Sequence, residues 1–291
     1  MTKTGAFAGQ VVTVVGGSVG LGRQYCLDLA AEGAQVVVVA RGQSAIDVAD
    51  EIRAAGGVAE ACVADVRNGQ EIIDTTVKKF GRIDGLLINA GILRDRSFAK
   101  MTEQDWAEVL DIHLNGTYAC LRAVWPVMRE QGHGRIVLTA TSGVVYGNFG
   151  QANYVAAKGA IVSLGATLAI EGAQKNIAVN TVAPVAMTRL TADIFTEEMA
   201  NTLTVEGVSP FVIALLHPSC KENGGFFEVG GGWASKFRWQ RSAGHRLPKN
   251  EWNVSQALAH MDDISRFDER VTYPTTPIET LNACMGKTRT A

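Results

Sequence analysis

The sequence lacks most of the features that mark a secreted, membrane-bound or nucleic-acid-binding protein. Its five cysteines are scattered over 291 residues with no paired spacing, which excludes a disulfide framework and a cysteine zinc site. The five histidines are equally dispersed, so we predict no metal site. No apolar run has the length of a membrane span, no signal-peptide pattern is present, and a net charge of −2 gives no bulk attraction to nucleic acid. We expect a cytoplasmic protein without membrane or nucleic-acid partners.

A glycine-rich turn follows the first predicted strand. Residues 11–15 are a run of β-branched side chains, typical of a strand buried on both faces of a parallel sheet, and residues 23–32 have a helical pattern. Between them, glycines let a pyrophosphate approach the backbone, while free N–H groups and the helix dipole face it. A tight turn without a ligand is the alternative. The residues that we predict to bind a dinucleotide here are Gly16, Ser18, Val19, Gly20, Leu21 and Gly22.

The end of the second predicted strand, residues 35–40, bears on the choice of dinucleotide. A carboxylate at this point binds the free ribose 2′-hydroxyl of NAD, whereas an arginine accommodates the 2′-phosphate of NADP. Here Ala40 offers no carboxylate, Arg41 follows directly, and Ser44 is close by. We therefore predict NADP over NAD; the alternative is that Arg41 is only a solvated loop charge.

Strands alternate with helices along most of the chain, which predicts an α/β fold. Such alternation gives a doubly wound parallel sheet (Rossmann-like) in three layers, with the ligand at the carboxyl ends of the strands. The glycine turn and several further polar residues follow predicted strands. Asp65 and Val66 would lie beside the adenine, although Asp65 could instead cap the next helix. The other strand-end residues are Asn89, Ala90, Gly91, Thr141 and Pro184.

Two stretches leave the local structure open. A long helix starts at the capping-box-like sequence of residues 102–105 and contains Pro126, which removes a backbone donor and is expected to kink it. Residues 187–203 are polar and threonine-rich; they form either a mobile lid over a site or an ordinary surface helix around 196–203.

Tyr154 and Lys158 carry the predicted chemistry. A spacing of four places both on one helix face, directly after a strand and a loop that contains Thr141 and Ser142. An ammonium near a phenol stabilises the phenolate, so we expect the pKa of Tyr154 to fall from about 10 toward neutrality. A phenol with such a pKa moves protons in an alcohol/ketone interconversion.

These motifs together resemble the short-chain dehydrogenase/reductase family: Gly16-x-x-x-Gly20-x-Gly22, Asn89-Ala90-Gly91, a hydroxyl thirteen residues before Tyr154, and Tyr154-x-x-x-Lys158. The resemblance extends over residues 7–229. Residues 91–98, 146–154 and 222–233 resemble one branch, the (3R)-hydroxyacyl-CoA dehydrogenase domain of the peroxisomal multifunctional β-oxidation enzymes and their bacterial relatives.

The resemblance implies a role for each motif residue. Tyr154 would be the general acid/base, and Lys158 would lower its pKa and hold the nicotinamide ribose. The family's catalytic serine aligns with Thr141, with Ser142 as its substitute. His113 aligns with the family's helix asparagine and is either a proton relay or a packed core histidine. Around the nicotinamide, the family positions correspond to Asn89, Pro184, Val185 and Thr188.

The implied function is NAD(P)-dependent interconversion of a (3R)-hydroxyacyl-CoA and its 3-oxo form. A hydroxysteroid or other ketone reductase is the alternative, since Trp233 would suit a sterol nucleus, and a non-catalytic nucleotide sensor is the alternative of another class. The branch's aspartate after the second strand is absent at Ala40, so its NAD preference is not carried over. Several charged residues either bind the phosphates of coenzyme A or form an ordinary solvated surface. They are Arg94, Asp95, Arg96, Lys236, Arg238, Arg241 and Arg246.

We divide the chain into a Rossmann-type domain, residues 1–233, and a C-terminal extension, residues 234–291, that packs on the same domain or on a partner subunit. The family resemblance also implies a homodimer or homotetramer formed by the two long helices, residues 106–131 and 150–172.

Overall fold

An eight-stranded sheet runs through the structure, a computed structural model that describes residues 5–188, 196–248 and 251–286. The strands are β1 (Val11–Val15), β2 (Gln35–Ala40), β3 (Val58–Val63), β4 (Gly85–Ile88), β5 (Gly134–Thr139), β6 (Ile177–Val185), β7 (Phe226–Gly230) and β8 (Trp233–Phe237). Their order is β3-β2-β1-β4-β5-β6-β7-β8, and β1 to β7 pair in parallel. From β1 the chain first adds strands on one side, β2 and β3, and then crosses over to add β4 and the later strands on the other side. This change of side between β1 and β4 opens a crevice at the carboxyl ends of the two strands.

Helices cover both faces of the sheet, which confirms the predicted three-layer α/β fold. Strand side chains alternate between two apolar clusters: Val36 and Val38 of β2 belong to one, and Val37 and Val39 to the other. On the first face lie α1 (Gly20–Ala31), α2 (Gln43–Ala54) and α9 (Ser209–Ala214). On the second lie α3 (Gly69–Phe80), α5 (Gly116–Gln131) and α7 (Ala152–Gly172). Shorter helices are α4 (Glu103–Leu110), α6 (Gly143–Tyr146) and α8 (Glu197–Thr202).

The long helix is interrupted in a different place from the one expected. Pro126 lies inside the continuous helix α5, whereas a π-helical turn, Asp111–Asn115, separates α4 from α5. This turn carries His113 at its centre. A π turn adds a residue to the helical turn, and such turns occur frequently at functional sites.

The last strands also differ from the prediction. β6 continues to Val185, with Pro184 opposite Val229 of β7, and β8 follows β7 after a connection of two glycines, Gly231 and Gly232. Of the segment 187–203, residues 189–195 lie outside the described residues, so the lid interpretation stays untested. α8 forms as the alternative predicted, with Thr196 Oγ1 accepting from the Met199 amide at 3.3 Å.

One described helical stretch, residues 152–175, is long and apolar enough to cross a membrane by length and composition alone, contrary to the expectation from the sequence. This stretch also packs against β6 and carries the buried Lys158. A third of the residues in its most apolar window are buried.

The chain divides into two units, Met1–Lys236 and Phe237–Ala291. The second contains α10 (Val254–Ala259), α11 (Met261–Ser265) and α12 (Pro277–Cys284). Arg241 and Thr272 form an isolated antiparallel bridge within it, and Arg246 donates to the carbonyls of Ala283 and Cys284. No described residue of this second unit is buried.

Candidate active site

The glycine turn is folded tightly over the strand ends. The amides of Gly16 and Gly17 both donate to the Val39 carbonyl, at 2.9 and 3.0 Å. A Cβ atom at Gly16, whose φ is +81°, would lie 2.6 Å from the Ala90 amide nitrogen, and one at Gly22 would overlap the Gly16 carbonyl oxygen. α1 starts at Gly20 with no side-chain cap at Val19, so its first N–H groups are available to an anion. Leu21 is buried and belongs to the first apolar cluster. This cradle fits the pyrophosphate of a dinucleotide.

The ends of β2 and β3 carry the predicted adenosine-side residues. Arg41 is exposed and has no hydrogen bond or ion pair among the described residues, while the hydroxyls of Ser44 and Ser18 lie 3.1 Å apart. Asp65 does not cap α3, whose N-cap is Asn68. Instead Arg67 binds the Asp65 carboxylate through its amide and guanidinium, which keeps the pKa of Asp65 below its ordinary value. Val66 is buried next to it.

Asn89, Ala90 and Gly91 join the glycine turn to the π turn. The Asn89 amide donates to the Val15 carbonyl at 2.8 Å, and its side-chain Oδ1 accepts from Thr139 Oγ1 at 3.3 Å. A Cβ at Gly91 would overlap Cε1 of His113. The glycine at this position is therefore required for the imidazole to lie against the backbone.

His113 is a buried, neutral imidazole. Its Nε2 lies 2.8 Å from the Ile92 carbonyl oxygen and 3.1 Å from the Ile92 amide, and its ring meets the Tyr154 ring edge-on with centroids 5.1 Å apart. Burial, and then the charge of Lys158, lower the pKa of His113 to about 3. Nδ1 is buried without a hydrogen-bond partner among the described residues. The ring is packed in the core, as one of the two alternatives predicts, and it also contacts the Tyr154 ring; its role as a proton relay stays a prediction.

Tyr154 and Lys158 lie together on α7, as predicted. Lys158 Nζ is 5.6 Å from the centre of the Tyr154 ring and donates to the Thr139 carbonyl at 2.6 Å. Lys158 is buried, and burial lowers its pKa to about 7.

The pKa of Tyr154 differs from the expectation. Burial, and then the nearby Asp95 carboxylate, raise it to about 12 rather than lowering it. The physical reason is that the phenolate loses its hydration in this site, and the stabilising charge on Lys158 is itself reduced by burial. The phenol is therefore protonated at neutral pH.

The hydroxyl pair lies on the turn between β5 and α6. Thr141 Oγ1 accepts from the Gly143 amide at 3.2 Å, which fixes its position at the strand end. Ser142 is the N-cap residue of α6, and its side chain makes no cap hydrogen bond. α6 contacts α7, so Ser142, the N-cap of α6, and Thr141, the residue before it, lie next to an element that packs against the helix of Tyr154.

On the opposite side of the crevice, Pro184 and Val185 form the end of β6. The Val185 carbonyl approaches Gly230 so closely that a Cβ there would lie 2.6 Å from its oxygen. The Thr188 side chain lies over the glycine turn, with its Cγ2 3.5 Å from the position of a Cβ at Gly20. The nicotinamide-side residues therefore end on the same edge of the sheet as the phosphate cradle.

Sequence reasoning missed Asn153, which is fully buried beside Tyr154. Its Nδ2 donates to the carbonyls of Arg94 and Asp105, at 3.2 and 3.1 Å, and its Oδ1 accepts from the Tyr154 amide at 2.8 Å. Asn153 thereby ties the loop after β4 and the helix α4 to the start of α7. The only signal in the sequence was its position directly before Tyr154.

Two further contacts join the loop after β4 to the loop before α7. The Arg96 amide donates to the Gly150 carbonyl at 2.8 Å, and Gln151 Nε2 donates to Asp95 Oδ2 at 2.7 Å. Most of the cations suggested for coenzyme A phosphates have partners within their own unit. Arg94 pairs with Glu108, Arg96 with Asp105 and Lys236 with Glu222, and Arg238 stacks on Tyr273.

The fold and this site are those of a dehydrogenase. Residues 10–200 match the family model of the short chain dehydrogenases, and the chain belongs to that family of oxidoreductases. Its members act on alcohol and ketone groups with NAD(P).

The most similar relatives include larger enzymes. The chain is 46% identical over 248 residues to peroxisomal multifunctional enzyme type 2 of Mus musculus, covering 82% of this chain and 34% of the relative. It is 43% identical over 283 residues to peroxisomal hydratase-dehydrogenase-epimerase of Neurospora crassa, covering 96% and 32%. The solved structure of full-length peroxisomal multifunctional enzyme type 2 from Drosophila melanogaster superimposes with a TM-score of 0.85 at 35% identity, over 96% of this chain and 49% of that chain. The chain spans about a third of the length of the two curated relatives, those from Mus musculus and Neurospora crassa.

Proposed function

We propose that this chain is an NADP-preferring dehydrogenase that interconverts (3R)-hydroxyacyl-CoA and 3-oxoacyl-CoA thioesters. The observation that carries the proposal is the convergence of Tyr154 and Lys158 with the glycine cradle at one edge of the sheet. The substrate class rests on the resemblance of three sequence stretches to the hydroxyacyl-CoA branch. One relative whose name includes a dehydrogenase activity aligns with 96% of the chain.

In this mechanism Tyr154 is the proton carrier. Its phenol is protonated at neutral pH, so it donates to the substrate oxygen in ketone reduction and must lose its proton before it can accept one in alcohol oxidation. Thr141 donates a hydrogen bond to the same oxygen, and Ser142 is its substitute. A nicotinamide held at the glycine cradle would supply or accept the hydride.

Lys158 and His113 act on Tyr154. Lys158 is held by the Thr139 carbonyl near the ring, where its charged form favours the phenolate and where it can bind the cofactor ribose. His113 packs against the ring edge as a neutral imidazole, and its Nδ1 is buried beside the site without a hydrogen-bond partner among the described residues. We assign it the role that an asparagine has in other family members.

The NADP preference is supported by Arg41 and by the absence of a carboxylate at Ala40. Arg41 follows β2 with its guanidinium exposed, and Ser18 and Ser44 bring two hydroxyls to the same side of the turn. A guanidinium and hydroxyls bind a 2′-phosphate, whereas NAD needs an acceptor for its 2′-hydroxyl.

We also propose a homodimer or homotetramer through α5 and α7, because both helices carry exposed side chains such as Tyr118, which is 58% exposed, and Ile170, which is 77% exposed. Light scattering coupled to size-exclusion chromatography tests this, and a monomer would contradict it. A cytoplasmic location is supported by five free cysteines, and cell fractionation tests it. The relatives named above are peroxisomal by name.

The deciding experiment follows the absorbance of the reduced nicotinamide with acetoacetyl-CoA, with NADPH and NADH in parallel. Faster oxidation of NADPH supports both the thioester and the role of Arg41, whereas faster oxidation of NADH contradicts the NADP preference alone. If neither cofactor is oxidised although both bind, the thioester assignment is wrong. Turnover of a steroid ketone would then identify the alternative reductase, and its absence would favour a nucleotide sensor.

A further inference from the structure

Arg67 joins two parts of the structure that lie far apart in the sequence. Its backbone amide, Nε and Nη2 bind the carboxylate of Asp65, just after β3, at distances of 3.0, 2.8 and 3.1 Å. Its Nη1 donates to Asp111 Oδ2 at 2.9 Å. Asp111 is the first residue of the π turn, whose central residue, His113, meets the Tyr154 ring. The guanidinium therefore connects the adenine side of the predicted cofactor site to the turn that presents His113.

The same segment of chain also holds the other end of the π turn. Gly116, the first residue after the turn, faces Val66 so closely that a Cβ there would lie 2.7 Å from Val66 Cγ1. One helical turn further along α5, Cys120 Sγ donates to the Val66 carbonyl at 3.3 Å. The π turn is thus fastened at its start by Arg67 and directly after its end by Val66, and His113 lies between these two contacts.

The position of the π turn bears directly on the active site. The His113 ring fills its space so tightly that a Cβ at Gly91 would lie 2.3 Å from Cε1 of the imidazole. On another side the ring meets Tyr154, with centroids 5.1 Å apart. Closely packed side chains transmit a displacement instead of absorbing it. A shift of the π turn would therefore move the imidazole relative to the phenol.

Two carboxylates share one cation at this point. Hydrogen bonds from Arg67 are the largest cause that holds the pKa of Asp65 and that of Asp111 below their ordinary values, and the two carboxylates also repel each other. Asn115 Nδ2 donates to Asp111 Oδ1 at 3.3 Å but brings no charge. Without the guanidinium, the two negative charges would favour separation of the end of β3 from the π turn. In this respect Arg67 differs from an isolated exposed ion pair, which contributes little.

We propose that Arg67 is a positioning residue for the dehydrogenase reaction, which holds the π turn to the end of β3 and so keeps His113 against Tyr154. The inference rests on the proposed function, because it takes Tyr154 as the proton carrier of that reaction.

The chain offers a matched control for this residue. Arg270 binds Asp268, two residues before it, through its amide and its guanidinium, as Arg67 binds Asp65. Among the described residues, Arg270 forms no ion pair with a second carboxylate. Arg270→Gln therefore removes a local pair of the same kind, whereas Arg67→Gln also removes the link to Asp111.

Steady-state rates with acetoacetyl-CoA and NADPH give the first readout. Arg67→Gln should lower kcat about tenfold and leave KM for the thioester within about twofold, because it misplaces a group beside the proton carrier and not the substrate site. Arg270→Gln should change both values by less than about twofold. A kcat of Arg67→Gln within about twofold of that of the unaltered chain would overturn the proposal.

A double variant tests whether Arg67 acts through Asp111. Asp111→Asn alone should lower kcat less than Arg67→Gln does, because it removes one contact and leaves no repulsion. Adding Asp111→Asn to Arg67→Gln should lower kcat no further, since two residues that act through one contact are not additive. Independent multiplication of the two effects would overturn the proposal.

Hydrogen exchange followed by mass spectrometry on the full chain gives a readout that needs no activity. The amides of residues 111–116 should exchange about tenfold faster in Arg67→Gln than in the unaltered chain or in Arg270→Gln. Retained protection of β5 shows that the variant is folded. Unchanged exchange at 111–116 would overturn the proposal whether or not the chain reduces acetoacetyl-CoA. Faster exchange, in a chain whose unaltered form has no turnover, would support the hold on the π turn and contradict the proposed function alone.

Discussion

Lys158 Nζ lies 5.6 Å from the centre of the Tyr154 ring, and its hydrogen bond goes to the Thr139 carbonyl rather than to the phenol. The ammonium therefore acts on Tyr154 through space. Because burial lowers the pKa of Lys158 to about 7 and raises that of Tyr154 to about 12, the proton at neutral pH is on the phenol.

This arrangement predicts different pH profiles for the two directions. Reduction uses the protonated phenol, which persists through neutral pH, so its rate should be nearly constant between pH 6 and 8. Oxidation needs the phenolate, whose fraction grows about tenfold per pH unit below a pKa of about 12, so its rate should increase by up to about a hundredfold over the same range. The rise should be less steep above pH 7, because Lys158, with a pKa of about 7, loses the charge that favours the phenolate. Initial rates in both directions test this, and an oxidation rate independent of pH would contradict the role of Tyr154.

Tyr154→Phe removes the proton carrier and keeps the packing of the ring. Turnover should fall by about 10²–10⁴-fold, the usual contribution of a general acid. Cofactor binding, measured by the fluorescence of the reduced nicotinamide, should be retained. Tyr146→Phe, on an exposed ring outside this contact, is the matched control. A Tyr154→Phe enzyme with undiminished activity would refute the assignment.

Asp95→Asn should move the oxidation profile to lower pH. The Asp95 carboxylate raises the pKa of Tyr154, so its removal makes the phenolate easier to form. Oxidation at pH 7 should rise by about a few-fold, and less in high salt, because Asp95 is exposed and its charge is screened. Asp74→Asn on α3 is the control. An unchanged profile at low salt would show that Asp95 does not act on Tyr154.

Much of the fold was predictable from local patterns. Runs such as residues 11–15 indicate buried strands, and the glycines after them indicate the turn, because both signals lie within a few neighbouring residues. The π turn at Asp111–Asn115 was not predictable, since α and π turns carry the same apolar pattern. β8 was missed because its residues, Trp233 to Phe237, are exposed or half-buried at an edge.

The candidate site was predictable in its residues but less so in its electrostatics. The Tyr-x-x-x-Lys spacing indicates that the two side chains meet. The direction of the Tyr154 pKa shift depends on burial and on Asp95, which is remote in the sequence and reaches the site through the loop after β4. Likewise, the approach of His245 to His260 depends on tertiary structure that no local pattern records.

Arg41→Ala should reduce the preference for NADPH. Without the guanidinium, the KM for NADPH should rise about tenfold or more, with little change for NADH, because only NADPH carries the 2′-phosphate. Arg53→Ala on α2 removes an arginine that is already paired with Asp50 and should change neither value. Equal KM changes for the two cofactors would contradict the role of Arg41.

Gly91→Ala should displace His113, because the new Cβ would overlap Cε1 of the imidazole. The cost of overpacking is about 1–3 kcal/mol in unfolding free energy, and turnover should fall as the ring moves from Tyr154. Gly159→Ala is the control, because a Cβ at this position would lie 4.0 Å from Val144 Cγ1, an ordinary contact distance. Alanine in a helix is also about 0.5–1 kcal/mol more favourable than glycine. If Gly91→Ala unfolds like the unaltered chain, the close packing of His113 is wrong.

Asn153→Asp tests whether Asn153 positions the loop after β4 next to the start of α7. The substitution keeps the shape of the side chain and the acceptor for the Tyr154 amide, but it removes both hydrogens that bind the carbonyls of Arg94 and Asp105. Those buried acceptors would lose a partner and face a charge, at a cost of about 1–3 kcal/mol or more in unfolding free energy. The loop after β4 would loosen, so KM for the thioester should rise more than the dissociation constant for NADPH. Asn148→Asp, with one hydrogen bond in an exposed loop, should be nearly neutral in both assays. Equal effects of the two variants would show that Asn153 does not hold the loop.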